Sequence, residues 1–555
     1  MRVATFPAEM EWASLPSSSE HDVGLEMTGN HTDTQTSQNQ GNVAGSGLPR
    51  LRKQLGFRDA LGIVVGIMVG SGIFSSPGVA LSAAQNPWIC LLAWGVSGLL
   101  VATTALCYLE LHSLYPYAGG DYSYLQAAYG DRSAFSFAWF NLLISKTGSQ
   151  AIIATIFGRY CDQIWKYAQG GISATATLSA TSEQMQETAL SRSLAVCVIA
   201  GSTLLNCLSV RSSSSFQNAL TVSKVICVGA LFLVTVIVSV ASPDSTRLSA
   251  LSEEGSTCAA ATASTTSGGF DHGFGFGSAM VAALWSFDGW CDPVFMTEEL
   301  LSPASLPRIV LTAIFFVTAL YLAMNTAYLM QLSCEQVVGS RAIGMALGDK
   351  INATLALPPA LNPALLVALL VTISTMSSLN GSIMTGARAF YAVARDGKFP
   401  RVLERVNQAG APWVALLVQG AWAVLLLLLP DSNFSSLLAY FGPCSWFFYA
   451  FTASGVIALR RRKQAGSLGG DGCTLPPPSS SSVAVDNKDN SGFRVPLYPA
   501  PPLVVMALAS CIITASLVRF PFFTLLAFSV VLLSVPFHII FLEQRGGGTP
   551  EELRQ

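Results

Sequence analysis

The chain has 555 residues, 51% of them hydrophobic and only 11% charged, with a mean hydropathy of +0.50 and a formal net charge of −2. Soluble domains carry about 25% charged residues, so this composition excludes a string of soluble domains and describes an all-α chain of apolar spans. Near-neutral charge offers nothing for nucleic acid or an acidic polymer, and the twelve scattered cysteines lack C-x-x-C or metal-ligand spacing, so no cofactor or metal is implied.

Residues 1–49 are rich in Ser, Thr, Gln, Asn and Gly and poor in aromatics, which reads as a disordered cytoplasmic tail. No apolar run follows a basic start, so no cleaved signal peptide is expected. A basic patch follows at Arg50, Arg52, Lys53 and Arg58, opening a transporter domain over 50–545. It holds about twelve stretches long enough to cross a bilayer, which takes roughly 20 helical residues. They lie near 59–82, 88–114, 132–160, 192–209, 217–241, 274–299, 306–332, 362–393, 412–429, 434–459, 501–518 and 521–542. Residues 460–500, with Pro476-Pro477-Pro478 and a serine run, read as a flexible cytoplasmic loop, and 546–555 as a tail.

Two of these spans are interrupted. The first breaks at Gly70-Ser71-Gly72-Ile73-Phe74 and the sixth at Trp285-Ser286-Phe287-Asp288-Gly289-Trp290. A break leaves backbone groups unpaired in hydrocarbon, at several kcal/mol each, and survives where it lines a cavity. Breaks in corresponding positions of two halves point to the substrate site of a secondary transporter. A helix that stops at Gly70 and restarts near Phe74 exposes the amides of Ser71, Gly72 and Ile73, a seat for a carboxylate. Small residues also serve close helix packing, and on Gly-Ser-Gly alone packing is preferred; the second break reverses that order. Carbonyls freed around Trp285–Phe287 can accept from an ammonium, so the pair of breaks suits a zwitterion. The substrate-binding set is therefore Val69, Gly70, Ser71, Gly72 and Ile73 with Trp285, Ser286, Phe287 and Asp288. Asp288, the acid within the second break, either meets substrate or accepts N–H bonds from the unwound backbone. Trp285 is either a gate over the substrate or packing.

The stretch Gly66-Ile67-Met68-Val69-Gly70-Ser71-Gly72-Ile73-Phe74-Ser75-Ser76-Pro77 resembles the first-helix signature of the L-type amino-acid transporters, light-chain type, of the amino acid–polyamine–organocation superfamily. Cys107-Tyr108-Leu109-Glu110-Leu111, Gly119-Gly120-Asp121-Tyr122, Trp285 to Trp290 with Thr297-Glu298-Glu299-Leu300, and Leu379-Asn380-Gly381-Ser382 with Arg388 and Arg395-Asp396-Gly397 resemble its later motifs in order. The likeness runs from about Phe57 to Leu542. It implies two inverted five-helix repeats plus two trailing helices, helices 1 and 6 broken, moving L-amino acids by alternating access. It also implies that Lys224 puts its ammonium where sodium-coupled relatives hold sodium. The other reading of Lys224 is a lysine snorkelling from a span end. Lys146 and Asn380 match family positions with structural or gating roles. Members that pair with a disulfide-linked heavy-chain glycoprotein use a cysteine in the loop after helix 3. The stretch Trp165-Lys166-Tyr167-Ala168-Gln169-Gly170-Gly171 and the rest of that loop have none, so such a partner is not expected.

Lys/Arg bias places both termini inside, with Arg395, Lys398, Arg401, Arg405 and Arg460-Arg461-Arg462-Lys463. The plasma membrane is preferred to an internal one, though nothing in the sequence selects the membrane. Glu298 and Glu299 read as solvated anchors and His112 as interfacial. Asn352 and Asn433 head N-glycosylation sequons, and pairing of Cys258 with Cys334 stays open. An intramembrane hydrolase is disfavoured, because no G-x-S-x-G and no suitably placed histidine is present. A channel lacks its charge rings or repeated filter. The leading function is sodium-independent exchange or facilitated transport of neutral L-amino acids. Cationic amino acids or polyamines come second, and an amino-acid receptor on the same fold stays open.

Overall fold

The computed structural model describes residues 53–115, 119–169, 188–241, 272–340, 342–358, 362–428, 434–468, 493–519 and 521–540, all within one compact unit. The 1–49 tail, the 546–555 tail, most of the 460–500 loop, Cys258 and the Asn433 sequon lie outside them. The described residues are helical. They run α1 (Phe57–Met68), α2 (Gly72–Ala84), α3 (Pro87–Leu114), α4 (Asp121–Tyr129), α5 (Asp131–Phe140) and, after a π-helical turn at Asn141–Ser145, α6 (Lys146–Ala168). Next come α7 (Ala189–Leu208), α8 (Val210–Ala241), α9 (His272–Ser286), α10 (Asp292–Phe295), α11 (Leu306–Gln331), α12 (Cys334–Gly339) and α13 (Ile343–Leu355). The chain closes with α14 (Pro363–Arg395), α15 (Trp413–Leu427), α16 (Phe434–Leu468), α17 (Ala500–Arg519) and α18 (Pro521–His538). Among the described residues the β pairing is a single parallel bridge, Leu55 to Leu300.

Eight described helices are long and apolar enough to cross a membrane, or nine when the pair α1 and α2, bent by 43°, counts as one span. The other three of the twelve expected spans are helical but differ from expectation. The third is interrupted by the π turn, and the sixth and ninth carry short apolar helices, Gly275–Ser286 and Trp413–Leu427. Helix starts follow capping chemistry. Asn86 accepts from the amides of Trp88 and Ile89 with Pro87 at the first position, and Asn362 accepts from Ala364 with Pro363 in the same place. Two boundaries move. The fifth span begins at Val210 rather than near 217, and the third runs to Ala168, so Trp165-Lys166-Tyr167 is the last turn of a helix and not loop. Local helix-forming sequence continues past the apolar stretch in both cases.

The bundle is built around α14, which packs on α6, α13, α8 and α1, while α9 packs on α2 and α3. One end is dense in ion pairs. Arg388 pairs with Glu299 at 2.7 Å with both side chains almost fully buried, Arg395 with Glu298 at 2.7 Å, Lys398 with Asp131 at 2.6 Å and Arg460 with Glu110 at 2.6 Å. Glu298 and Glu299 are therefore not solvated anchors; their guanidinium partners come from α14, distant in sequence. His112 is buried in the last turn of α3. Asn352 sits inside α13 with its amide oxygen buried, so the first sequon is helical and part-buried rather than an open loop. Cys334 is disulfide-bonded.

Candidate functional site

The first break falls two residues earlier than expected: α1 ends at Met68 and α2 begins at Gly72. Its last carbonyls would be orphans in a dry interior, and side chains from three helices meet them. Lys224 of α8, fully buried, donates to the oxygens of Gly66 and Val69, the latter at 2.6 Å. Ser378 of α14 donates to Gly66 O at 2.9 Å and Ser374 to Val69 O at 2.8 Å. Tyr321 of α11 reaches Met68 O at 2.5 Å. Lys224 thus does not snorkel: because α8 starts at Val210, the residue lies four turns inside the helix. Pro77 in α2 has no N–H for the carbonyl of Ile73, and Tyr328 supplies the donor instead at 3.3 Å.

The second break follows Ser286. Phe287 and Asp288 turn back to the carbonyls of Leu284 and Trp285, and α10 is a single turn of four residues. The Ser286 carbonyl accepts from Tyr321 at 2.7 Å. The carbonyls expected to be free at Trp285 and Ser286 therefore already hold one bond each. Each keeps a second lone pair. Tyr321 joins the two breaks through one hydroxyl, and their backbones touch. A Cβ on Gly72 would stand 2.7 Å from Ser286 Cα, and one on Gly289, whose φ is +98°, would stand 2.3 Å from Ile67 Cγ2. At these two positions only glycine fits. Val69, Gly70, Ser71, Gly72, Ile73, Ser286 and Phe287 all lie together in the buried centre.

Beside the second break is a hollow between α3, α9 and α16. Trp285, Asp288 and Trp290 line it with Phe441, Trp446 and Tyr449. Trp285 meets Phe441 edge-on with centroids 5.2 Å apart. The Asp288 carboxylate accepts from the Tyr449 hydroxyl at 3.0 Å. Its hydrogen-bond partner thus includes a side chain of α16, not backbone alone. Val69 to Ile73 do not line this hollow.

Lys146 begins α6 and pairs with Asp292 of α10, whose second oxygen accepts from Thr385 of α14 at 2.6 Å. Asn380 donates to Gln217 at 3.0 Å and accepts from Asn206 at 2.9 Å, joining α14, α8 and α7. Neither residue lines the hollow. Sequence reasoning missed Asp292, Tyr321, Ser374, Ser378 and the α16 aromatics. Asp292 lies four residues beyond Asp288 and was open to the same argument. For α16, aromatics packed so densely around Gly442 and Pro443 were the available signal. The hydroxyls carry no sequence signal, because their role depends on a partner far along the chain. No group of three potential metal ligands occurs among the described residues.

The amino acid permease family matches residues 55–541. The human b(0,+)-type amino acid transporter 1 is 31% identical over 74% of this chain and 76% of its own. The mouse large neutral amino acids transporter small subunit 2 is 30% identical over 78% of this chain and 75% of its own. Among solved structures, Mhp1, a nucleobase-cation-symport-1 family transporter, is similar with a TM-score of 0.43 and 15% identity, covering 89% of this chain and 93% of that one. With a match over nearly the whole helical region and two helix breaks joined at their backbones, the chain belongs to the amino acid permease family.

Proposed function

We propose that this chain carries neutral L-amino acids across the plasma membrane without sodium, by alternating access between two inverted repeats, as an exchanger or facilitator. The observation that carries the sodium-free reading is the Lys224 ammonium. It occupies, with the hydroxyls of Ser374 and Ser378, the set of carbonyls beside the first break that a metal cation would otherwise have to satisfy. Amides at the start of α2 receive the substrate carboxylate, the second break receives its ammonium, and the aromatic hollow beside Asp288 takes the side chain. The relatives, a b(0,+)-type amino acid transporter and a large neutral amino acids transporter small subunit, support this cargo. The ion-paired end is the cytoplasmic one in this reading, as its basic excess favours. No disulfide-linked heavy chain is required; the loop beyond Gln169, where its cysteine would stand, lies outside the described residues.

In liposomes carrying the purified protein, replacing sodium with choline at fixed pH leaves labelled leucine uptake unchanged. Lys224→Ala lowers it about tenfold or more, since donors from a charged group contribute about 1.5–3 kcal/mol. A steep sodium dependence of the wild type overturns the reading. Counterflow of labelled leucine separates transport from the receptor alternative.

Asp288 favours a second reading in which the cargo is cationic, because a carboxylate held by one tyrosine faces the aromatic hollow. With neutral cargo, Asp288→Asn lowers uptake of leucine and lysine alike. A loss confined to lysine and arginine, with leucine intact, makes cationic amino acids the substrates.

A further inference from the structure

Between the Asp288 hollow and the ion-paired end lies another buried acid, Asp121 at the start of α4. Its Oδ1 accepts from two hydroxyls, that of Tyr108 on α3 and that of Thr452 on α16, the latter at 2.9 Å. The order of groups along both helices is the same. On α3, Val101 lines the hollow, Tyr108 follows about two turns on, and Glu110 then pairs with Arg460. On α16, Phe441, Ser445 and Tyr449 line the hollow, Thr452 comes next, and Arg460 ends the row. Whatever leaves the hollow toward the ion-paired end therefore meets Asp121 and its two partners on the way.

The obstacle they hold is aromatic. The Tyr108 ring meets Trp290 edge-on with centroids 4.8 Å apart and Tyr449 at 6.3 Å, and Trp290 and Tyr449 lie 5.5 Å from each other. Trp290 and Tyr449 line the hollow and Tyr108 does not, so Tyr108 backs their rings from the far side. While Asp121 holds its hydroxyl, Tyr108 cannot turn aside. A carboxylate stripped of this donor in a dry layer is costly. The same layer holds a replacement. Tyr124 lies one turn after Asp121 on one face of α4, its ring edge-on to Tyr108 at 6.1 Å. Among the described residues its buried hydroxyl has no hydrogen-bond partner. A buried polar group without a partner calls for an explanation, and a second conformation in which it is paired supplies one.

We propose that Tyr108, Asp121 and Thr452 form a releasable clasp between the hollow and the ion-paired end, and that Tyr124 takes over the Asp121 carboxylate when Tyr108 lets go. These are positioning residues: they set the rings of Trp290 and Tyr449 and touch no cargo themselves. The clasp has two discrete arrangements because one acceptor serves two tyrosines in turn. The inference goes beyond the transport reading and does not depend on which amino acid is carried.

Cys291 is a native reporter for the test. It is buried in the same layer, its Sγ 3.9 Å from the Tyr449 hydroxyl, and it does not line the hollow. The full chain in lipid nanodiscs is treated with N-ethylmaleimide, and peptide mass spectrometry follows Cys291 beside Cys90, which is buried in the first turn of α3. Tyr108→Phe takes a donor from the closed arrangement alone, so it speeds labelling of Cys291 about tenfold while Cys90 keeps its rate. Asp121→Asn weakens the same bond from its other side and acts in the same direction. Tyr124→Phe loses no bond in the closed arrangement and loses the replacement donor in the open one, so it slows labelling of Cys291 several-fold. A merely structural side chain loosens the protein when cut back and does not slow labelling. Wild-type labelling of Cys291 in both Tyr108→Phe and Asp121→Asn overturns the proposal. So does acceleration of Cys90 in step with Cys291, or a Tyr124→Phe chain that labels as fast as the wild type or faster.

Discussion

Tyr321 concentrates more of the site in one atom than any residue named from sequence. Its hydroxyl lies 2.5 Å from Met68 O and 2.7 Å from Ser286 O, so one donor is shared between the ends of both broken helices. Tyr321→Phe keeps the ring against Trp94 and Phe287 and removes only the oxygen. The expected cost is about 1–3 kcal/mol, because two buried carbonyls lose a donor. Thermal unfolding reads it as a lower midpoint, accompanied by reduced uptake; an unchanged midpoint contradicts the shared-donor role. The glycines and the acid of the breaks were legible in sequence because a polar gap in an apolar span has no other cheap explanation. Tyr321, Ser374 and Ser378 were not, since a hydroxyl in a membrane helix normally bonds its own i−4 carbonyl and leaves no trace of a distant one. Glu298 and Glu299 were misread for a related reason: an acid at a helix end reads as solvated until the arginine that covers it is located in space.

At the scale of an element, the π turn at Asn141–Ser145 sets the phase of α6. One extra residue in a continuous α-helix shifts every later side chain by about 100° around the helix axis, and the wider turn absorbs it. Lys146 is the first residue after it, and in this phase it meets Asp292. Deleting Leu143 takes the extra residue out and restores an uninterrupted α-helix that leaves Lys146 opposite Asp292, so the expected change in the unfolding midpoint is small. Lys146→Ala instead leaves Asp292 buried without its cation, at about 3–5 kcal/mol. A deletion as damaging as Lys146→Ala contradicts the turn's role in absorbing one residue. No hydropathy pattern announces such a turn, and the expected span 132–160 ran straight through it. Caps were easier to read: Asn86-Pro87 and Asn362-Pro363 each begin a helix as their side chains dictate.

For the whole molecule, the positions of the apolar spans and of both breaks were readable because apolar length, and a polar gap within it, are properties of local composition. Which charged groups meet was not, because pairs such as Arg388–Glu299 and Arg460–Glu110 form between distant segments. At the ion-paired end the chain entering α1 lies along the chain leaving the sixth span. Gln54 N and Leu55 N donate to Glu299 O, and Leu301 N donates to Leu55 O, each at 2.9 Å. These three amides act as a clock. Their protons are shielded only while the two segments lie together, so hydrogen–deuterium exchange at Gln54, Leu55 and Leu301 counts the openings of this end directly. Weakening the seal with Glu298→Gln speeds exchange at all three together, while amides in the middle of α14 keep their rate. Exchange at the three that ignores this substitution detaches the strip from the seal. A protein made of helices thus carries, in one short strip of extended chain, a natural isotope label for how often its door stands ajar.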